Sequence, residues 1–310
     1  MITKRPFRFG VTAISGAASR EEWRTKARSI EEAGYATLVI PDHLVTLFSP
    51  IAALQSAADA TNKLRVGSFV FDNDFRHPVA LAKEVATLDV LSGGRFELGI
   101  GAGWYREEYE QAGLSFDALA IRHSRLEEAI HVVKGLFTDE PLTFSGRFYT
   151  VTGHHGQPRP VQQPHPPLLI GGAGKRMLAI AAREADIVGI HYFTDEVQDR
   201  IETPLARRVA WIREVAGERF EHLELNIFIQ GVEVTAEPYR AAEAIIQRNG
   251  WAGVTAEQVV AMPYYLLGSI DHISEKLHVL REQYHISYFV VADDGDQHAL
   301  APIVARLAGM

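Results

Sequence analysis

Residues 64–101 read LRVGSFVFDNDFRHPVALAKEVATLDVLSGGRFELGIG and contain a strand, a helix and a second strand in succession. The apolar run at 64–71 predicts the first strand, and FELGI at 96–100 predicts the second. Between them, the segment from Pro78 to Leu91 has helical periodicity and begins at a proline, which is typical of a first helical turn. Both strands are nearly continuous apolar runs, as in parallel strands covered on both faces, so this stretch predicts an α/β fold.

The same alternation continues through the chain in both directions. Helices are predicted from Arg20 to Ala33, from near Pro50 and from about Arg122 to Phe137. Six further apolar runs predict the remaining strands, at 7–12, 36–40, 168–171, 186–190, 225–234 and 288–292. Eight strands separated by helices predict one (β/α)8 TIM barrel over residues 1–310, with insertions after strands four and seven. A doubly wound open sheet is the alternative, because periodicity does not reveal whether a sheet closes.

The segment 138–167 interrupts the alternation of strands and helices. A hairpin is predicted around Ser145-Gly146, followed by a loop rich in proline and histidine. A connection of this length within a compact domain is usually functional, so we expect an insertion beside the site.

Composition excludes several classes of protein. The 310 residues include no cysteine, which excludes disulfides, iron–sulfur clusters, thiolate zinc sites and a cysteine nucleophile. The net charge of −8 predicts no broad basic surface for nucleic acid or anionic lipid. MITKRPFRFG at the amino terminus has no apolar core, and no apolar run is long enough to span a membrane. We therefore expect a cytoplasmic protein whose partners are small molecules.

Polar residues follow the second and third predicted strands, at the end of a barrel where catalysis takes place. Asp42 and His43 follow strand two, and an imidazole that titrates near neutrality can donate or accept a proton. The neighbouring carboxylate can orient that imidazole; the alternative is a loop pair that caps the next helix. Asp72 and its polar neighbours through His77 form either a ligand wall or a solvated turn.

Glycines follow the fourth and fifth strands. After strand four, Gly101 and Gly103 allow close backbone approach, and Trp104 with Tyr105 can form a wall for a planar ring. After strand five, GGAGKR at 171–176 leads into a helix, whose free N–H groups and two basic side chains suit a phosphate. Neither turn has the spacing of a dinucleotide fingerprint or a Walker motif, so each is also explained as a glycine-rich packing turn.

Two other catalytic interpretations fail on the sequence. His154, His155 and His165 lie in the insertion, where solvated loop histidines are the better account, so no metal site is predicted. The chain has no Gly-x-Ser-x-Gly nucleophile elbow.

Three blocks together resemble the bacterial luciferase-like oxidoreductases. They are PDH at 41–43, FRHPVALAKEVATLDVLSGGRFELGIGAGW at 75–104 and LLIGGAGKRMLAIAAREADIVGI at 168–190. The blocks occur in the family's order at matching barrel positions, and the resemblance extends from about residue 7 to 305. It is strongest to the actinobacterial branch that uses the deazaflavin coenzyme F420 in place of FMN.

The resemblance implies a homodimeric TIM barrel with the cofactor ring at its carboxyl face. It implies a non-proline cis peptide at Phe69–Val70 that supports the ring, and catalytic roles for His43 in proton transfer and for Asp42 in orienting it or contacting the ring. Together with the glycine-rich turns, it predicts cofactor contacts at Asp42, Phe69, Val70, Asp72, Gly101, Gly103, Trp104, Gly171, Gly172, Ala173, Gly174, Lys175 and Arg176, the last five at the phosphate.

One departure from the branch concerns the substrate. Its sugar-phosphate dehydrogenases place a glutamate general base directly after the third glycine of strand four, where this chain has Trp104. The resemblance therefore implies hydride transfer between coenzyme F420 and a small, apolar or aromatic substrate, since oxygen insertion is not expected from a deazaflavin.

Three alternatives remain open on the sequence. FMN in the same site implies a monooxygenase supplied by a partner flavin reductase. A different class is a phosphate-binding TIM-barrel isomerase or lyase, whose glycines hold a substrate phosphate. The last is a cofactor carrier without catalytic activity.

Overall fold

The computed structural model describes residues 5–45, 48–191 and 204–310. The strands are β1 (Arg8–Thr12), β2 (Thr37–Ile40), β3 (Arg65–Ser68), β4 (Phe71–Asp72), β5 (Phe96–Gly101), β6 (Leu142–Ser145), β7 (Thr150–His154), β8 (Leu168–Gly172), β9 (Ile187–Ile190), β10 (Glu224–Phe228), β11 (Gly231–Val234), β12 (Tyr265–Gly268) and β13 (Ile286–Ala292).

The helices are α1 (Arg20–Glu32), α2 (Pro50–Ala60), α3 (Pro78–Leu91), α4 (Arg106–Gln111), α5 (Leu119–Gly135), α6 (Lys175–Glu184), α7 (Leu205–Ala216), α8 (Pro238–Asn249), α9 (Ala256–Ala261), α10 (Ile270–Tyr284) and α11 (Asp296–Leu307). Short 3-10 helices cover Asn73–Phe75 and Gly217–His222. Three of the α-helices, α2, α3 and α8, have a proline in the first turn, where its missing N–H costs no hydrogen bond. Within the described ranges, no helix is long and apolar enough to cross a bilayer.

Eight parallel strands close into a barrel in the order β3-β2-β1-β13-β10-β9-β8-β5. The pairing that closes the barrel joins β3 to β5, with Val66 opposite Phe96 and Gly67 opposite Glu97. This pairing rules out an open doubly wound sheet and confirms the predicted (β/α)8 fold. The carboxyl ends of all eight strands consequently lie on one face of the barrel.

The opposite, amino-terminal end of the barrel holds a partly buried ion cluster. The Glu97 carboxylate accepts hydrogen bonds from both Arg8 and Arg65, and Arg8 also donates to Glu224 Oε2 at 2.6 Å. The Arg8 guanidinium lies over the Tyr288 ring, 4.0 Å from its centroid. Burial opposes ionisation of Glu97, but the two guanidiniums outweigh it and keep its pKa below the ordinary value.

Two predicted strands are wrong in extent. The run 225–234 is not one strand: β10 ends at Phe228, and the chain then leaves the barrel because the Gln230 N–H donates to the Tyr264 carbonyl at 2.7 Å. From there β11 pairs with β12 in a separate two-stranded sheet. The run 64–71 is divided between β3 and β4 by Phe69–Val70, whose peptide bond is cis, as the family resemblance implied.

The insertion 138–167 contains the predicted hairpin, formed by β6 and β7. The Glu128 carboxylate on α5 accepts the backbone N–H groups of Arg147, Phe148 and Tyr149, which holds the hairpin turn against that helix. The predicted long helix is α5, which begins at Leu119 and ends at Gly135, whereas the short α4 was not predicted.

Candidate active site

A cavity of about 490 Å³ opens at the carboxyl face of the barrel. Most of the described wall is apolar or aromatic, and its polar side chains come from the carboxyl ends of β1, β2, β4, β9 and β10 and from α4. The residues that line it are Thr12, Ile14, Pro41, Asp42, His43, Val45, Phe69, Val70, Phe71, Asp72, Gly103, Trp104, Glu108, Gly171, His191, Phe228 and Gln230. The insertion 138–167 contributes no residue to this wall, so the hairpin does not cover the cavity.

The segment between β3 and β4 brings Phe69 and Val70 into the cavity wall. The Phe69 ring meets the His191 ring edge-on, with centroids 4.9 Å apart. Val70 packs on β5 where Gly101 has no side chain, since a Cβ at Gly101 would lie 2.8 Å from Val70 Cγ2. Gly101 is therefore a support for Val70 and does not itself line the cavity.

His43 is held by α4 and not by its sequence neighbour. Its Nδ1 lies 3.0 Å from Glu108 Oε1, and the other Glu108 oxygen accepts the Leu44 N–H at 2.9 Å. The Glu108 side chain is 2% exposed. Glu108 was not predicted as a site residue, because nothing in the local sequence pattern distinguishes it from the neighbouring Glu107.

Asp42 does not orient His43, and this part of the prediction is corrected. Its carboxylate is bound by the Arg76 guanidinium through both oxygens, and Oδ2 also accepts the Asp72 N–H at 3.1 Å. The Arg76 guanidinium in turn lies over the Phe71 ring, 4.9 Å from its centroid. Asp42 still lines the cavity, so the predicted contact with a cofactor ring stays a prediction.

Asp72 is a buried carboxyl group in the wall of the same cavity. The Tyr109 hydroxyl lies 2.7 Å from Oδ1 and 2.6 Å from Oδ2, and the Asp74 N–H donates to Oδ1 at 2.9 Å. Burial raises the pKa of Asp72 to about 7, outweighing the hydrogen bonds, which favour the carboxylate. The group can therefore gain or lose a proton near neutral pH.

Trp104 forms part of the cavity wall beside His43. Its ring is stacked with that of Tyr105 at a centroid distance of 5.3 Å, and the His43 ring meets Trp104 edge-on at 5.8 Å. Trp104 is 52% exposed, so one side of this aromatic pair is accessible to a ligand. The predicted aromatic wall after strand four is thus present, with Trp104 as its cavity-facing member.

His191 follows β9 and was not predicted. It is buried, and burial lowers its pKa to about 4, so the imidazole is neutral at physiological pH. A Cβ at Gly171, on the neighbouring strand, would lie 2.8 Å from the His191 ring. Its position directly after a predicted strand was the signal that could have identified it.

The residues predicted to bind a phosphate, 172–176, are not among those that line the cavity. Gly171 lines the cavity. Gly174 directly precedes α6, and a Cβ added to it would meet no described atom within 4 Å. Arg208 holds this turn by donating to the Ala173 carbonyl. Lys175 and Arg176 are both exposed, and Arg176 donates to Ser124 Oγ at 3.0 Å. The turn therefore offers an anion the N–H groups at the start of α6 in open surroundings.

A polar atom at the end of β1 fits a ligand with a hydrogen-bonding edge. Thr12 lines the cavity, and its buried Oγ1 has no hydrogen-bond partner among the described residues. A buried hydroxyl without a partner costs free energy, and a ligand with polar atoms at one edge would supply that partner. The cavity thus fits a planar ring with apolar faces and a hydrogen-bonding edge. In the described residues, no group of three or more histidines and carboxylates could hold a metal ion.

Comparison with known proteins identifies a family model that matches nearly the whole chain and a relative that matches part of it. The family profile described as luciferase-like monooxygenase matches residues 3–298. The FMNH2-dependent dimethylsulfone monooxygenase of Pseudomonas putida is 32% identical over 136 residues, which are 44% of this chain and 36% of that relative. The chain therefore matches only about a third of the length of that protein.

Two solved structures show the same fold over nearly the whole chain. The coenzyme F420-dependent tetrahydromethanopterin reductase from Methanopyrus kandleri superposes with a TM-score of 0.77 at 19% identity, covering 98% of each chain. A long-chain alkane monooxygenase superposes with a TM-score of 0.78 at 14% identity, covering 98% of this chain and 92% of the other. At these identities the likeness establishes the fold and not the reaction.

Proposed function

Because this chain belongs to the luciferase-like monooxygenase family, we propose that it is a coenzyme F420-dependent oxidoreductase. It transfers a hydride between the deazaflavin and a small, uncharged, apolar or aromatic substrate. The observation that carries the proposal is the carboxyl-face cavity, whose wall combines His43, Trp104 and the Phe69–Val70 segment. When bound, the deazaflavin supplies the hydride chemistry, and the protein supplies binding, orientation and a proton.

The residues proposed to hold the cofactor divide into a ring set and a phosphate set. The ring set is Asp42, Phe69, Val70, Asp72, Gly103 and Trp104, with Gly101 supporting Val70 from the neighbouring strand. The phosphate set is the turn 172–176, where the N–H groups at the start of α6 and the Lys175 charge favour an anion. Thr12 supplies a hydroxyl, unpartnered by the described residues, to the polar edge of the ring or to the substrate.

The charges in the cavity wall argue against an anionic substrate. The Asp42 carboxylate is paired with Arg76, and that of Glu108 is bound by His43 and the Leu44 N–H. No lysine or arginine is among the described residues that line the cavity. An anionic substrate would lose its hydration there without gaining a lysine or arginine partner, which is costly, whereas an apolar or aromatic one gains contacts with Trp104 and Phe228.

His43 is the residue proposed to transfer the proton, and Asp42 is proposed to contact the ring. His43 lines the cavity with its side chain 22% exposed, so a ligand can reach the imidazole. Proton transfer by a positioned histidine requires a hydrogen bond between the ring nitrogen and the reacting group.

A second candidate is an FMN-dependent monooxygenase that receives reduced flavin from a partner reductase. The match to the dimethylsulfone monooxygenase favours it, because that relative is FMNH2-dependent. Both cofactors have a tricyclic ring and a phosphate, which suit the same cavity and the same helix terminus.

We also propose a homodimer, which size-exclusion chromatography with light scattering would test.

Titration of the purified protein with oxidised and reduced coenzyme F420, and in parallel with oxidised and reduced FMN, tests the proposal. Fluorescence reports binding, and the expected result is tighter binding of coenzyme F420. Binding of FMN alone would favour the monooxygenase. A protein that binds neither ring, but does bind sugar phosphates, would contradict both candidates and favour an isomerase or lyase.

A further inference from the structure

Glu108 contacts His43 and the backbone next to it at the same time. One carboxylate oxygen is 3.0 Å from His43 Nδ1, and the other accepts the Leu44 N–H at 2.9 Å. The side chain of Glu108 is almost fully buried, so these two contacts replace its hydration. A buried carboxylate with both oxygens engaged has little freedom to move, and it restrains the imidazole that it touches.

The segment that carries Glu108 is itself fixed by a neighbouring helix. Arg122 on α5 donates to the Ala102 carbonyl at 2.8 Å and also to the Gly103 carbonyl. Directly after these residues, the rings of Trp104 and Tyr105 meet the His43 ring edge-on, at centroid distances of 5.8 and 6.3 Å. The imidazole is therefore held by the segment 104–108 through a carboxylate and two rings.

The chemistry of the Glu108 carboxylate determines which nitrogen of His43 carries the proton. An ionised carboxylate only accepts hydrogen bonds, whereas a neutral imidazole donates from one nitrogen and accepts at the other. A contact of 3.0 Å between Glu108 and Nδ1 is a hydrogen bond only when Nδ1 is protonated. The neutral imidazole then has its lone pair on Nε2, the nitrogen that is left for a ligand.

We propose that Glu108 is a positioning residue that fixes His43 in the Nδ1–H tautomer. In that tautomer Nε2 accepts a hydrogen bond from a ligand hydroxyl when the imidazole is neutral. After protonation Nε2 donates a hydrogen bond, and the Glu108 carboxylate balances the charge of the imidazolium. The inference deepens the proposed function and rests on it for the presence of a substrate, but the tautomer is a property of the protein alone.

Nitrogen NMR of the cofactor-free protein, labelled with 15N at histidine, tests this assignment. Spectra at about pH 8.5, well above the ordinary imidazole pKa of about 6.5, separate the protonated from the unprotonated ring nitrogen. The His43 signals are identified by their loss in His43→Asn. The expected result is a protonated Nδ1 and an unprotonated Nε2; a protonated Nε2 in the wild-type protein would overturn the proposal.

Glu108→Gln provides a second measurement. The amide has one oxygen, and if that oxygen keeps the Leu44 N–H, its NH2 group points at His43 Nδ1 and requires a lone pair there. The opposite orientation would bring the NH2 group against the Leu44 N–H, which is also a donor. We therefore expect the proton to move to Nε2 in this variant, and an unchanged tautomer would show that Glu108 does not set it.

Glu110→Gln is the matched control. Glu110 is on the same helix but is 61% exposed, and its contact is with Arg106 at 3.5 Å. Glu110→Gln should leave the His43 signals unchanged. If Glu108→Gln does not fold, the wild-type spectrum alone still shows which ring nitrogen of His43 is protonated.

The NMR result and the proposed function fail independently. A protein that binds neither coenzyme F420 nor FMN but has the Nδ1–H tautomer refutes the proposed function only. A protein that binds coenzyme F420 and has the Nε2–H tautomer refutes the role of Glu108 only.

Discussion

The Tyr109 hydroxyl lies within hydrogen-bond distance of both carboxyl oxygens of Asp72, 2.7 Å from one and 2.6 Å from the other. The two residues come from α4 and from the end of β4, which are 37 positions apart in the sequence. Their contact joins the helix that carries Glu108 to the strand end that lines the cavity. Because Asp72 is buried there, its protonation links the cavity to the stability of the fold.

The stability of the protein is expected to fall as pH rises through the titration of Asp72. Burial raises the pKa of this group from 3.8 to about 7, so between these values the folded state holds a proton that the unfolded state has released. The stabilisation is complete below the unfolded pKa and is lost as pH rises through about 7. One proton changes the free energy of unfolding by at most about 1.4 kcal/mol per pH unit.

Asp72→Asn isolates this contribution, because asparagine resembles the protonated acid and does not titrate. Denaturant unfolding between about pH 5 and 8 should show the wild-type protein losing free energy of unfolding relative to the variant as pH rises. The control is Asp139→Asn, because the Asp139 side chain is 101% exposed. The free energy of unfolding of this variant should depend on pH as that of the wild type does. Parallel pH profiles for wild type and Asp72→Asn would contradict the assignment.

His43→Ala is expected to lower turnover by about 10²–10⁴-fold, the usual contribution of a positioned acid or base. Cofactor affinity should change much less, because the proposed phosphate contacts lie at α6. Steady-state rates and cofactor titrations of the same preparations measure both quantities. If His43→Asn keeps near-normal turnover between about pH 5 and 9, the imidazole only donates a hydrogen bond and the proton comes from water or substrate.

Changing Lys175 and Arg176 together to alanine is expected to weaken cofactor binding. Both side chains are exposed at the start of α6, so the loss should be smaller at high salt, where exposed charges are screened. Fluorescence titrations at low and high ionic strength measure the difference. Arg183→Ala, at the opposite end of the same helix, is the control for a general change in charge. Equal affinities of the wild type and the double variant at low salt would show that the basic pair does not contribute to cofactor binding.

Gly103→Ala is expected to destabilise the protein and to disturb the cavity. Gly103 has a φ of +73°, which costs a residue with a side chain about 1–3 kcal/mol. In addition, a Cβ would overlap the Tyr109 hydroxyl and the Asp72 carboxylate. Thermal unfolding and cofactor titration measure the two effects.

Gly113→Ala separates the backbone cost from the overlap. Gly113 has a φ of +72°, almost equal to that of Gly103, but no described atom lies within 4 Å of the place its Cβ would take. The Gly103 variant should therefore be the less stable of the two and should alone lose cofactor affinity. Equal losses of stability would mean that the Asp72–Tyr109 contact adjusts to the extra methyl group.

The sequence by itself determined the order of the barrel strands and the end at which the site lies. Alternating apolar runs and helical segments define the (β/α) units, and the carboxyl ends of parallel strands meet on one face. For that reason Asp42, His43 and Asp72 could be assigned to one cavity from their positions after strands two and three. The extents of the predicted strands at 64–71 and 225–234 could not be determined from the sequence, because Phe69–Val70 and Gln230 interrupt apolar runs that look continuous.

Only the tertiary structure decided which groups touch each other inside the cavity. Asp42 is next to His43 in the sequence but binds Arg76, because the fold brings that guanidinium, 34 residues further along, against its carboxylate. Glu108, 65 residues further along, reaches His43 because α4 folds back over the end of β2. The protonation of Asp72 and His191 likewise depends on burial by residues distant in sequence. Burial and contact are properties of the packed chain, and local sequence patterns carry little information about them.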